Sequence, residues 1–124
     1  MPWININYLK KIIQFSQSNG VKCYLIRTPT CKESLFNQNE TLYQEILKNE
    51  FLDIEFLDFK NFPISDECFI DNEHLNSKGA LIYSKFFNYM LNRNVLNIRD
   101  KQQFIDSMIF EYDKKVFEID STDN

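Results

Sequence analysis

The sequence predicts an α/β protein, a partial three-layer α/β/α arrangement with parallel strands and a C-terminal helical extension. Three observations carry that reading. Segments with apolar residues every three or four positions alternate with short runs rich in β-branched and aromatic residues. Each run is closed by a turn signal. The connection between the two runs is long enough for a helical crossover, which implies parallel pairing.

Residues 4–18 read as an amphipathic helix, with Ile4, Tyr8, Ile12 and Phe15 on one stripe and Asn19-Gly20 as its stop. Residues 21–26, Val-Lys-Cys-Tyr-Leu-Ile, form the first strand, ended by Arg27-Thr28-Pro29 because proline cannot donate to a ladder. After a polar loop over 30–38, a second helix over 39–49 buries Leu42, Ile46 and Leu47. Residues 53–59 form the second strand, followed by an irregular stretch over 60–70 broken at Pro63. A third helix over 77–92 turns Leu81, Ile82, Phe86, Phe87 and Met90 inward, and Tyr83 joins its aromatic core. A fourth helix over 100–112 carries Phe104, Met108 and Ile109. The acidic segment 111–120 reads as solvated surface, and residues 121–124 as a frayed end. Two strands are few for a parallel sheet, whose two faces both need cover, so the pattern reads as half of an α/β sandwich with two strand edges exposed.

Composition narrows the function classes. With 124 residues, one domain is expected. The 14 basic and 18 acidic residues give a net charge of −4 and no basic stretch, which excludes a nucleic-acid surface as the main theme. No apolar run approaches the ~18 residues of a membrane span. The opening Met1-Pro2-Trp3-Ile4-Asn5 lacks the features of a signal peptide, so a cytoplasmic location is the default; a missing N-terminal part would open an envelope or extracellular one. Cys23, Cys31 and Cys68 are odd in number and widely spaced, which fits neither a zinc site nor a disulfide framework; Cys23 reads as a small buried hydrophobe. With two glycines in the chain there is no phosphate-cradling loop, which disfavours a nucleotide-binding protein.

The segment that carries chemistry is Asp71-Asn72-Glu73-His74-Leu75-Asn76-Ser77-Lys78-Gly79-Ala80, which holds the single histidine. It lies after the last strand and just before a helix, where ligands bind in parallel α/β sheets. A carboxylate three residues before an imidazole can accept its Nδ1 proton and leave Nε2 to act as a general base. Asn76 or Ser77 caps the following helix, and Gly79 allows that helix a close approach to the sheet. Asp71, Glu73 and His74 could each ligate a metal, but three ligands within four residues of a loop rarely converge, and no metal or cofactor is expected.

This block, with Tyr83-Ser84 after it, resembles the last block of the SGNH (GDSL-type) hydrolases, D-x-x-H-L-N-x-x-G-A. The upstream order of helix, Gly20, strand to Thr28-Pro29, helix and strand to Asp58-Phe59 is similar too. The resemblance covers about residues 5–93; residues 1–93 then read as the C-terminal portion of a flavodoxin-like SGNH domain, and 94–124 as its helical extension. It implies a serine esterase or acyl hydrolase with His74 as base and Asp71 as its orienting partner. The substrate would be an O-acylated carbohydrate or lipid. Arg27 and Thr28, at the exit of the first strand, are the candidate substrate-binding residues. Nothing in the chain matches the family's nucleophilic serine turn or its oxyanion-hole blocks, which leaves a truncated hydrolase as the expectation. The alternative is a non-catalytic module that pairs through its strand edges, as a homodimer or with a missing N-terminal half.

Overall fold

A computed structural model describes residues 3–32 and 38–122, with side chains over 5–32 and 38–113. Four helices and a two-stranded parallel sheet follow one another along these residues: α1 (Trp3–Ser18), β1 (Tyr24–Arg27), α2 (Glu40–Glu50), β2 (Glu55–Asp58), α3 (Ser77–Asn92) and α4 (Lys101–Thr122). Single 3₁₀ turns at Asp66–Cys68 and Val95–Asn97 flank α3. Among the described residues, no helix is long and apolar enough to cross a membrane.

Local chemistry sets the boundaries. Gly20 takes φ +76° past the end of α1. The Gly20 N–H then bonds Gln17 O, and the Val21 N–H bonds Ser16 O, the two bonds of a Schellman cap. Val21 is thereby committed to the helix, and β1 starts three residues later than its β-rich run suggests. Tyr24 pairs with Glu55, Leu25 with Phe56, Ile26 with Leu57 and Arg27 with Asp58. Alternation therefore puts Leu25, Arg27, Phe56 and Asp58 on one face and Tyr24, Ile26, Glu55 and Leu57 on the other. On the first face Ile6, Ile13 and Phe51 form a small core, with Leu9, Cys23, Leu25, Ile46, Leu47 and Ile54 packed against it. On the second face a larger core gathers Leu57, Phe59, Phe62, Tyr83, Phe86, Met90, Val95, Ile105 and Ile109. Phe59 is fully buried and meets Tyr83, Phe86 and Phe87 edge-on, as the aromatic patch on the third helix implied.

Some expectations give way. On α1 the buried stripe is Ile6 and Ile13, while Tyr8, Ile12 and Phe15 are 59%, 62% and 72% exposed; Ile4's side chain lies outside the described residues. Both stripes fit a helical period, and contact with Phe51 decides between them. Leu42 and Leu81 are exposed for a similar reason: Tyr43 meets Phe56 and Tyr83 enters the aromatic core in their place. Cys23 is half-buried rather than buried, and all three cysteines are free thiols. The last helix runs ten residues past its expected end at 112, reaching Thr122, so the frayed end expected from 121 does not hold at 121–122; residues 123–124 lie outside the described residues, as do the side chains of most of the acidic segment 111–120.

Nor are both sheet edges bare. The Gln102 carboxamide accepts from the Asp58 N–H at 2.9 Å and donates to the Asp58 carbonyl at 2.9 Å, as a neighbouring strand would. Lys101 reinforces this edge through Glu55 at 3.0 Å. The start of α4 thus closes β2 at Asp58, and among the described residues no strand pairs with the outer edge of β1.

The two α1 stripes separate in a stability measurement. Ile13→Ala should cost about 2–5 kcal/mol in urea unfolding, as for a buried aliphatic truncation. Ile12→Ala, on the exposed stripe, should stay within about 0.5 kcal/mol of the parent.

Candidate functional site

The loop between the 3₁₀ turn and α3 is built from both ends. Phe69 and Leu75 form an antiparallel bridge, the Ile70 N–H bonds His74 O at 2.8 Å, and the Asn76 N–H bonds Cys68 O at 2.8 Å. Asn76 is the helix cap: its Oδ1 accepts from the Gly79 N–H at 3.0 Å while its Nδ2 donates to Glu67 O at 2.7 Å. Gly79 does allow a close approach, but to the turn rather than to the sheet. A Cβ there would lie 2.3 Å from Cys68 O and 3.0 Å from Leu75 Cδ2. Any side chain at 79 would push α3 off the segment that carries the loop.

Within the loop, Asp71 organises everything. Its Oδ1 accepts the backbone N–H groups of Glu73 and His74, both at 2.8 Å. Its two oxygens lie 2.9 and 3.0 Å from His74 Nδ1. A carboxylate can only accept, so Nδ1 carries the proton and Nε2 presents its lone pair outward in the neutral ring. The bond from the Glu73 N–H, then those from the His74 ring and main chain, hold the Asp71 carboxyl below its ordinary range. The His74 side chain is 72% exposed and that of Asp71 55%. Chemically, the arrangement is an oriented imidazole base open to solvent. No serine among the described residues hydrogen-bonds it; Ser18 and Ser107 bond main-chain carbonyls, and Ser65 contacts Cys68 Sγ at 3.6 Å. Among the described residues no group of three His, Cys, Asp or Glu could hold a metal ion.

Arg27 is not brought to this pair. Its Nε and Nη2 donate to Asp58 at 3.0 and 2.5 Å, and its Nη1 and Nη2 donate to Glu40 at 2.7 and 3.0 Å. The guanidinium stacks 4.6 Å from the centre of Tyr43, and its side chain is 4% exposed. Two carboxylates already fill its donor forks, so an anionic substrate group has no place there. Thr28 is exposed just past β1.

Sequence reasoning missed Glu40 and Asp58 as the partners of this guanidinium. The signal was a charged residue at the end of each strand, which acquires meaning only once the register pairs Arg27 with Asp58. Burial lowers the Arg27 pKa, but the hydrogen bonds and charges of Asp58 and Glu40 outweigh it and leave it raised. Glu40 moves from 4.5 to about 2, chiefly through its bonds from Arg27 and against the effect of its own burial.

A carboxyl depressed by folding stabilises the fold above its unfolded pKa and ceases to do so as it protonates. Urea midpoints should therefore fall as pH drops from about 4.5 to about 2. Glu40→Gln should remove much of that acid dependence. At neutral pH it should cost about 1–3 kcal/mol, because a buried guanidinium loses a charged acceptor while keeping Asp58.

No curated protein and no solved structure matches the chain. The model of one family of uncharacterised proteins matches residues 1–96, a span that includes both strands, the Asp71–His74 loop and α3 and ends before α4. The chain belongs to that family.

Proposed function

We propose that the chain carries the acid–base half of an SGNH-type ester hydrolase site, with His74 as general base and Asp71 as the group that fixes its tautomer. The observation that supports this is the Asp71 carboxylate, held by two main-chain N–H groups and bonded in turn to His74 Nδ1 at 2.9 Å. In this reading Nε2 takes the proton of a serine hydroxyl as its oxygen attacks the acyl carbonyl. It returns that proton to the departing alcohol, and water then releases the acyl group by the same route. The serine comes from outside the described residues or from a second chain. The sheet, with helices on both faces, is read as part of a three-layer, flavodoxin-like domain. The substrate is an O-acyl ester and the default location the cytoplasm.

The test is fluorophosphonate labelling of the folded chain, read by mass spectrometry, with circular dichroism confirming each variant's fold. One serine should be labelled, His74→Ala should abolish labelling, and Asp71→Asn should slow it on the order of 10²-fold or more. A folded chain that takes no label would sink the reading of a site closed by this chain's own serine.

A second reading is favoured by the outer edge of β1, which pairs with no strand among the described residues. There the chain is a non-catalytic module whose β1 pairs antiparallel with β1 of a second copy, which gives a continuous four-stranded sheet. Light scattering should then show a dimer that Ile26→Lys converts to monomer. A parent chain that stays monomeric at all concentrations would count against it.

A further inference from the structure

A cavity of about 360 Å³ lies along the outer edge of β2, between Glu55, Phe56 and Leu57 on one side and residues 99–102 on the other. Side chains of successive strand residues point to opposite faces, so a cavity that touches three in a row meets the strand at its main-chain edge. The hydrogen bonds show which groups reach it. The Phe59 N–H bonds Arg27 O at 2.9 Å, so by alternation Leu57 and Glu55 also turn their N–H and C=O groups toward β1. Those of Asp58 turn outward and are taken by Gln102. Phe56 presents the same outward pair two residues earlier, and among the described residues nothing bonds it. The free stretch is one residue long, because the Ile54 N–H already bonds Phe51 O at 3.1 Å.

The charged groups around the cavity are unevenly engaged. Lys101, its side chain 10% exposed, bonds Glu55 at 3.0 Å. Asp100 Oδ1 accepts from the Gln103 N–H at 3.1 Å, and Gln102 is held by Asp58 and Asp106. Arg99 is exposed and makes no ion pair or hydrogen bond among the described residues. The cavity thus offers one main-chain donor, one main-chain acceptor and one unpaired cation. A bare carboxylate would leave the Phe56 carbonyl without a donor, and a neutral amide would leave Arg99 without an anion. The carboxyl-terminal residue of a peptide carries all three complements: an N–H for the carbonyl, an oxygen for the Phe56 N–H, and charge for the guanidinium. Gln102 shows, one step along the same edge, that a single amide satisfies such a pair without a full strand.

We propose that this edge of β2 binds the carboxyl-terminal residue of a peptide through the main chain of Phe56 and the side chain of Arg99. The site shares no residue with the His74 loop or with β1, so it depends on neither reading above. The probes are acetyl-glycyl-alanine with a free carboxyl group, its C-terminal amide, and acetate. Each is titrated into the ¹⁵N-labelled intact chain, with circular dichroism confirming each variant's fold. Without ligand, the Phe56 amide should exchange with solvent about tenfold or more faster than that of Leu57, whose N–H faces β1. The free acid should shift the Phe56 and Arg99 amides saturably and slow exchange at Phe56. The capped peptide and acetate should each bind about tenfold more weakly, and so should the free acid to Arg99→Gln, a loss on the scale of one charge-assisted hydrogen bond. Arg99→Lys should recover part of it. A Phe56 amide already protected in the free chain, shifts that do not saturate, acetate or the capped peptide binding as well as the free acid, or parental affinity in Arg99→Gln would each overturn the proposal.

Discussion

Arg27 and Asp58 occupy paired positions at the carboxyl ends of the two strands, and the guanidinium that ties them to Glu40 is the contact on which the architecture turns. Two four-residue strands make a sheet too small to specify its own pairing. A slip of one residue would put Asp58 on the opposite face from Arg27 and strand a desolvated cation. The ion pairs therefore contribute register more than net stability. They also bind α2 into the sheet, since Glu40 is its first residue.

The same economy appears at the edge of β2. A third strand would satisfy the outward main-chain groups of Asp58; here one glutamine carboxamide does so. Because Gln102 sits at the start of α4, the segment outside the family match is structurally part of the domain. Ile105 and Ile109 on the same helix complete the larger core. The chain thus closes one side of its sheet at Asp58 with its own side chains, and among the described residues no such device covers the other side, along β1.

How much of this was legible in the sequence depends on whether the deciding forces are local. Asn76 and Ser77 mark the start of α3 because capping is read over three residues, and the structure chooses Asn76 through its bond from Gly79. Asp71 and His74 meet because an Asx-type turn is equally local, closed by the Glu73 and His74 amides. The α1 stripe was misread because Ile6–Leu9–Ile13 and Tyr8–Ile12–Phe15 have the same periodicity. Only the position of Phe51, about forty residues away, separates them. Arg27 was misread for a related reason. A lone cation at a strand end is equally consistent with a ligand contact or an internal fork, and the partners that settle it lie 13 and 31 residues away.

The two ion sites are tuned in opposite ways. Arg27 is desolvated and saturated with acceptors, an arrangement that holds elements in place and leaves nothing for chemistry. Asp71 and His74 are aligned yet open to water, which screens the attraction between them. What the loop supplies is orientation: the tautomer is set and Nε2 is aimed before any substrate arrives. If the loop serves the hydrolase reading proposed above, catalytic strength would come from a surface that covers the imidazole and excludes water, since the same charges act more strongly in a drier setting. On that reading, the chain that supplies the serine would provide such cover at the side of the loop that Cys31 and Phe69 already anchor.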